Sequence, residues 1–436
     1  MKKIYSLLLI LSVLLSSCEE WIDPTINEDP DNPKEVSMGV LLPAIEGSFA
    51  YYYGGIDVVG IQCVWMQQFT GSDRQFVAIN NYNIRQSDPN NLWNSMYNGV
   101  MMDLVQYIEK AENPESLERN AAGVGKVLMA MSLALVTDVW GDVPYSEAFQ
   151  GSINTTPAFD TQESLYTEID NLLTEAIADL QSDENVAGIT NDYIYDGNPA
   201  MWIKAAHTLR ARYAMRLTKV QSVDFDAVIA DLNNGILDNA EDMEQPFDDA
   251  SSAGYNPLYQ FIEQRSGYLS NNPTYDSMLV DDPRQGIQEW SASGFWTSQG
   301  APVHFTGYGE AMFLLAEAVY RNGDEAAARD TLVTALTASL NKYGVMDADF
   351  VAAFETEIAS LSGDDLLERI IVEKYKHMLA HPEPYNDWRR TGYPELTPTQ
   401  GTSIPRRYPY AQDEVNYNPE NVPEVNVFQR VWWDAQ

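Results

Sequence analysis

Cysteine is almost missing from this chain: of 436 residues, only Cys18 and Cys63 carry a thiol. That excludes a disulfide-stapled scaffold, so stability has to come from a large apolar core. Cys63 lies in the apolar stretch Ile61 to Trp65 and reads as a buried free thiol rather than a reactive one. Basic residues are scarce as well, 26 Lys and Arg against 64 Asp and Glu, for a formal charge of −38. A field of that sign repels nucleic-acid phosphates and anionic lipid surfaces. Partners are then neutral, cationic, or held by local contacts that overcome the repulsion, and no nucleic acid is expected. Only four histidines occur. His377 and His381 stand one helical turn apart, but Met378 replaces the glutamate of a zincin motif and no third ligand is evident. The pair reads as the end of a surface helix, and no metal is expected. The sequence has no Gly-x-Ser-x-Gly elbow, phosphate loop or Cys–His nucleophile pair. Among 64 acidic residues some pair always lies close, so carboxylate pairs of glycosidase type carry no information. Neither catalytic residues nor cofactors are expected.

Long apolar runs are also lacking. The one short run, Ile4 to Leu15, follows Lys2 and Lys3 and ends in Leu15-Ser16-Ser17-Cys18. It is too short for the ~20 residues that span a bilayer as a helix. It reads as a secretory signal peptide over residues 1–17, and the cysteine at the cleavage point resembles a bacterial lipobox. Cys18 is then the lipidated first residue of a mature chain carrying 24 basic and 64 acidic residues. Several acyl chains on one cysteine give durable anchoring, the only membrane contact expected. Residues 18–36 form the lipidated N-terminus and a tether, acidic and broken by Pro24, Pro30 and Pro33. At full stretch the tether reaches roughly 55 Å. The remaining 37–436 is long enough for two domains or for one large helical array.

What fills that length is helical periodicity. Leu92 to Glu109 repeats Met96, Val100, Leu104 and Ile108 at helical steps, and Ala121 to Val139 is rich in Ala, Leu and Met. Ser164 to Leu180, Met201 to Val220 and Phe225 to Leu237 follow. Gly309 to Tyr320 and Glu325 to Tyr343 form a close pair across Arg321-Asn322-Gly323-Asp324, with Gly323 as C-cap and Asp324 as N-cap. Small residues such as Ala316, Ala318 and Ala326 to Ala328 let these two approach, a layout that resembles a tetratricopeptide unit, although no clean 34-residue period runs through the chain. The earlier helices pair plausibly as 92–109 with 121–139 and 164–180 with 201–220. The expected class is all-α dominated, built on tetratricopeptide-like helical pairs. Two long stretches interrupt it, Phe69 to Asp88 and Asp238 to Thr306, and loops of that length usually carry binding. The tail from Tyr385, rich in Pro, Tyr and Arg, packs across the helical body.

Several stretches are more particular. Thr137-Asp138-Val139-Trp140-Gly141-Asp142-Val143-Pro144-Tyr145-Ser146-Glu147-Ala148 resembles the signature of the SusD/RagB nutrient-binding outer-membrane lipoproteins. Phe159 to Tyr166, Asp282-Pro283-Arg284, Glu368 to Ile371 with Lys374 and Tyr375, Asn386 to Pro394, Ile404 to Pro409 and Trp432-Trp433 continue the likeness in order. Glu19 and Glu20 after Cys18 look like the surface-export signals of these lipoproteins. The resemblance implies a SusD-like helical fold with irregular ligand-binding loops, a lipid-anchored protein exposed on the outer-membrane surface, and no enzymatic activity. It implies capture of oligosaccharides, or of other oligomers such as peptides, and delivery to a SusC-like TonB-dependent transporter. The motifs themselves read mainly as scaffold, with Asp387 beside Arg389 and Arg390 pinning the tail by charge-assisted pairs.

A sugar-binding face needs flat rings for stacking and polar groups for hydroxyls. The first long stretch offers Arg74, Phe76, Tyr82 and Asn83; the second offers Trp290, Phe295, Trp296 and Tyr308. Seven of these are the candidate ligand contacts: Trp290, Trp296, Phe295, Tyr308, Arg74, Tyr82 and Asn83. Each aromatic ring can alternatively anchor its own loop. Trp93 and Tyr97, four residues apart on a helix, read as core. Two other classes remain open: a secreted glycoside hydrolase or peptidase, and a helical-repeat adaptor without a ligand of its own.

Overall fold

The computed structural model describes residues 36–435. Cys18, the signal peptide and the tether as far as Glu35 lie outside the described residues.

Helices begin where a short polar side chain can accept from the first turn. Thr161 accepts from Ser164 N, Asn198 from Ala200 N ahead of Pro199, Asp224 from Ala227 N and Asp324 from Ala327 N. These caps open Gln162–Leu180, Pro199–Arg216, Phe225–Asn234 and Glu325–Lys342, close to where the periodicity puts them. The central helix, Arg119–Trp140, is buried at every position from Ala121 to Trp140. It is long and apolar enough to cross a membrane, yet its apolar window is wholly enclosed by protein.

The most extensive pairing in the molecule is Arg119–Trp140 against Gln162–Leu180. A Cβ on Gly123 would come within 2.6 Å of Leu180 Cγ and 3.0 Å of the Ala176 carbonyl, so only glycine permits this approach. The two pairings expected for these helices do occur, but with smaller contact. Tyr308–Arg321 and Glu325–Lys342 form the second tight pair, with Gly323 at φ +93° in their turn. Gly363–His377 packs on the first of these two and Ala348–Ile358 on the second.

Among the described residues there are four short strands, in two antiparallel pairs. Phe69–Gly71 pairs with Leu269–Asn271, and Met243–Gln245 with Val303–Thr306. The helical class is the expected one; the first pair joins the two long loop regions to each other, and the second ties the start of the second region to its end. The second region also contains two short helices, Pro257–Gln264 and Pro273–Met278.

The tail closes the body. Tyr408 N donates to the Val139 carbonyl and Trp140 Nε1 to that of Pro409, both at 2.9 Å. The Arg406 guanidinium lies 4.1 Å from the Trp388 ring centroid, a cation–π contact.

One expectation is corrected here. His377 and His381 do not lie on a surface: both are buried. The helix stops at His377, so the one-turn geometry is lost. His377 Nδ1 lies 3.0 Å from Ser339 Oγ, and His381 Nε2 lies 3.2 Å from the Phe305 carbonyl. Burial pushes the His381 pKa down to about 3, which keeps its ring neutral. Cys63 is a free, buried thiol, and burial pushes its pKa up to about 12.

Candidate functional site

The conspicuous motifs build the scaffold. Asp138 is buried and accepts from Tyr166 Oη at 2.5 Å, Trp433 Nε1 at 2.9 Å, Asn386 Nδ2 at 3.3 Å and the Arg216 guanidinium. Arg389 donates to the backbone carbonyls of Asp138 and Arg406. Arg390 bridges Asp387 and Glu317, and buried Arg284 stands 2.7 Å from both Asp282 and Glu373. Burial raises the pKa values of Glu317 and Glu373, but their cationic partners outweigh it and leave both at about 2. Carboxylates held this way are permanent acceptors in a framework.

The two loop regions meet where Phe69–Gly71 pairs with Leu269–Asn271. Trp290 is half-buried, with its ring centroid 4.9 Å from that of Phe69 and its backbone N–H donating to Asn271 Oδ1 at 2.6 Å. Behind it Phe261 contacts both Trp290 and Tyr268, and Arg265 lies over the Phe261 ring. The Tyr268 carbonyl accepts from Ser72 N at 2.9 Å and Asp73 N at 3.3 Å. Exposed Arg74 follows, at φ +51° beside Asp73. These contacts bring Trp290, Tyr268 and Arg74 into one neighbourhood from segments about 200 residues apart.

The other candidates fall elsewhere. Phe295 is half-buried and lines an open cavity of about 510 Å³ with Ile287, Glu244 and Lys342. Tyr308 starts its helix close by, its N–H donating to Asp242 Oδ1 at 2.7 Å, and is half-buried against the Phe313 cluster. Asn83 is exposed. Trp296 and Tyr82, each 7% exposed, are corrected from ligand platforms to loop anchors. Trp296 Nε1 donates to Tyr343 Oη at 2.9 Å, and Tyr82 Oη accepts from Thr399 N at 2.9 Å. In each case the polar tip is used internally and the ring faces the core.

Beneath Phe295, the ligating atoms of Asp242, Glu244 and His304 lie within 4.8 Å of one another, as a metal site requires. Lys342 Nζ stands 2.8 Å from both carboxylates. An ammonium therefore already balances this cluster. Burial raises the Glu244 pKa, but His304 and Lys342 outweigh it and bring it to about 2.

Tyr268 and Arg265 were not singled out by sequence. A Gly-Tyr step after a helix end, Arg265-Ser266-Gly267-Tyr268, was the available signal; only the strand pairing brings Tyr268 against Ser72 and Asp73.

Known proteins share this architecture. The SusD-like family, described as starch-binding and associating with the outer membrane, matches residues 30–292 and 285–411. A solved SusD/RagB family protein from Bacteroides thetaiotaomicron is 25% identical, with a TM-score of 0.78 over 92% of this chain and 99% of that one. A SusD homolog from Bacteroides fragilis is 21% identical, with a TM-score of 0.76 over 92% and 99%. A chitin-binding SusD homolog from Flavobacterium johnsoniae is 21% identical, with a TM-score of 0.73 over 90% and 98%. No curated protein matches the chain. With the family match extending over most of its length and the same helical fold in solved members, this chain belongs to the SusD-like family.

Proposed function

We propose that the protein is a non-enzymatic lipoprotein, anchored through Cys18 on the outer-membrane surface, that captures neutral oligosaccharides and hands them to a SusC-like TonB-dependent transporter. The observation that carries the binding part is Trp290. Its half-buried ring is braced on Phe69, and its backbone is tied to Asn271 on the strand that pairs with the segment leading into polar Ser72–Asp73–Arg74. An aromatic plane next to hydrogen-bonding groups matches a sugar, whose C–H face is apolar and whose rim is hydroxyl. Rings fixed in advance limit the ordering cost of binding. Phe295, Tyr308 and Asn83 are proposed as outlying contacts. A net charge of −38 favours neutral glycans over acidic ones.

The family's outer-membrane association and the lipobox support the anchoring and hand-over. A tether of up to roughly 55 Å lets the body swing over a transporter while staying attached. Replacing Cys18 by Ala tests this part: the variant should fold and bind in solution yet fail to support uptake.

Titration calorimetry with malto- and chito-oligosaccharides tests the binding part. Saturable binding that Trp290→Ala weakens at least tenfold supports it; binding of peptides alone redirects it to a peptide receptor. New reducing ends during incubation identify a hydrolase instead.

A further inference from the structure

A second cleft lies away from the loop surface, between the helical segment around Trp93 and Tyr97, the loop after Pro144, and the C-terminal turn Gln412–Tyr417. Its volume is about 300 Å³, at the small end of ligand pockets. Three rings wall it beside Trp93: Tyr97, Phe149 and Tyr417.

Two independent irregularities shape this cleft. The first is in the helix. Between Asn90–Ser95 and Met102–Ala111 the chain makes a π-helical turn, Met96–Met101. Trp93, Tyr97 and Met102 all line the cleft. They are spaced four and then five residues apart, and the wider turn keeps them on one stripe that a regular helix would rotate away. Such π turns are often found at functional sites. The second is Phe149, a bulky residue held at φ +62°, where side chains other than glycine are strained. That backbone sets its ring parallel to Tyr97, with centroids 6.1 Å apart and planes 22° apart.

Tyr97 keeps its hydroxyl occupied, donating to the Pro144 carbonyl at 2.8 Å, so its ring is a fixed wall. Tyr417 is 78% exposed at the rim, so its ring is accessible to a ligand in the cleft. Exposed Asn98 and Gln150 add amide donors and acceptors. Asp413 and Glu414 supply carboxylates; Asp413 accepts from Asn94 Nδ2 at 2.8 Å.

From this geometry we infer that the cleft is a second saccharide site, taking a short neutral or amino-sugar segment and rejecting uronic acids. Parallel rings suit the flat C–H faces of pyranoses, amides suit their hydroxyls and acetamido groups, and the two carboxylates repel a sugar carboxylate. The site shares none of its walls with the Trp290 surface and stands whether or not that surface binds. Trp93 and Tyr97, read from spacing as core, are core residues with one edge in this cleft.

Calorimetric stoichiometry with maltohexaose and chitohexaose tests the inference, using the full mature protein, Trp290→Ala, and the double variant Phe149→Gly/Tyr417→Ala. Phe149→Gly relieves the backbone strain and Tyr417 is exposed, so the double variant should fold; an unchanged melting temperature checks it. The expected result is that the double variant loses one binding event, by at least tenfold in affinity, for one of the two probes. Trp290→Ala should leave that event intact, and a galacturonate hexamer should not compete for it. Loss in the double variant with none in Trp290→Ala supports the cleft and rejects the loop surface. Unchanged binding in the double variant, no binding to either hexamer, or competition by galacturonate overturns the inference.

Discussion

The indole Nε1 of Trp433 donates to the Asp138 carboxylate at 2.9 Å, joining the end of the chain to its central helix. Arg216 pairs with the same carboxylate, and Arg389 is sandwiched against the rings of Tyr385 and Trp433. The first long motif, the Asn386–Arg390 motif and Trp433 thus meet in one buried polar knot.

Removing the shared acceptor should be costly. Asp138→Ala leaves Arg216 with Glu383 as its remaining carboxylate partner and strands the Trp433 N–H. The expected loss is about 3–5 kcal/mol, from breaking a buried pair on one side. Trp433→Phe keeps most of the ring and removes one donor, at about 1–2 kcal/mol. Urea titrations of both variants check this; equal, small shifts would mean the knot is peripheral to stability.

Gly141 ends the central helix at φ +86°, ψ −123°, with Arg407 nitrogens 3.4 Å from where a Cβ would sit. Gly141→Ala should cost about 1–3 kcal/mol through backbone strain alone. The same titration measures it, and a neutral result would show that the turn relaxes.

Glu46 is fully buried, accepts from Tyr193 N at 2.9 Å and faces Asp192. Burial first, and the Asp192 charge second, push its pKa up to about 10 from an ordinary value of 4.5. The folded state therefore keeps a proton that the unfolded state releases. Its contribution is complete below pH 4.5 and declines as pH rises towards 10, by up to about 1.4 kcal/mol per pH unit. Glu46→Gln abolishes this titration. The melting temperature of the variant should gain on that of the parent from pH 5 to pH 9; parallel curves would show that Glu46 ionises normally.

Trp290 and Trp296 should separate cleanly. Trp296→Ala removes a buried ring and its bond to Tyr343, at about 3–5 kcal/mol of stability. Trp290→Ala should cost less stability and at least tenfold in oligosaccharide affinity, about 1.4 kcal/mol. Thermal melts run beside binding titrations decide it, and equal effects of the two changes on affinity would contradict the placement of Trp296 as an anchor.

Legibility in the sequence followed the range of the physics. Helices with local caps, such as Asp324 before Glu325–Lys342, could be read because the signal lies within one turn. Met38–Tyr53 was not read: Pro43 sits inside it and its buried residues leave no clear stripe. Nor could composition show that Tyr82 and Trp296 turn inwards while Trp290 stays only half-buried. Those placements rest on partners distant in sequence, Thr399 for Tyr82, Tyr343 for Trp296 and Phe69 for Trp290, which leave no local trace. The motif residues were rightly read as scaffold, but not the convergence of Asp138 with Trp433, for the same reason. Trp93 and Tyr97 show the converse, since a regular period hides the π turn that opens their edges to a cleft.

Oligosaccharide binding and product formation can be followed in one experiment. Purified mature protein is titrated with malto- and chito-oligosaccharides, and the same samples are assayed for new reducing ends. Saturable binding of at least one series is expected, weakened at least tenfold by Trp290→Ala, with the oligosaccharide recovered intact. Cleavage of the sugar, or affinity for both series unchanged by Trp290→Ala, would contradict the proposed function.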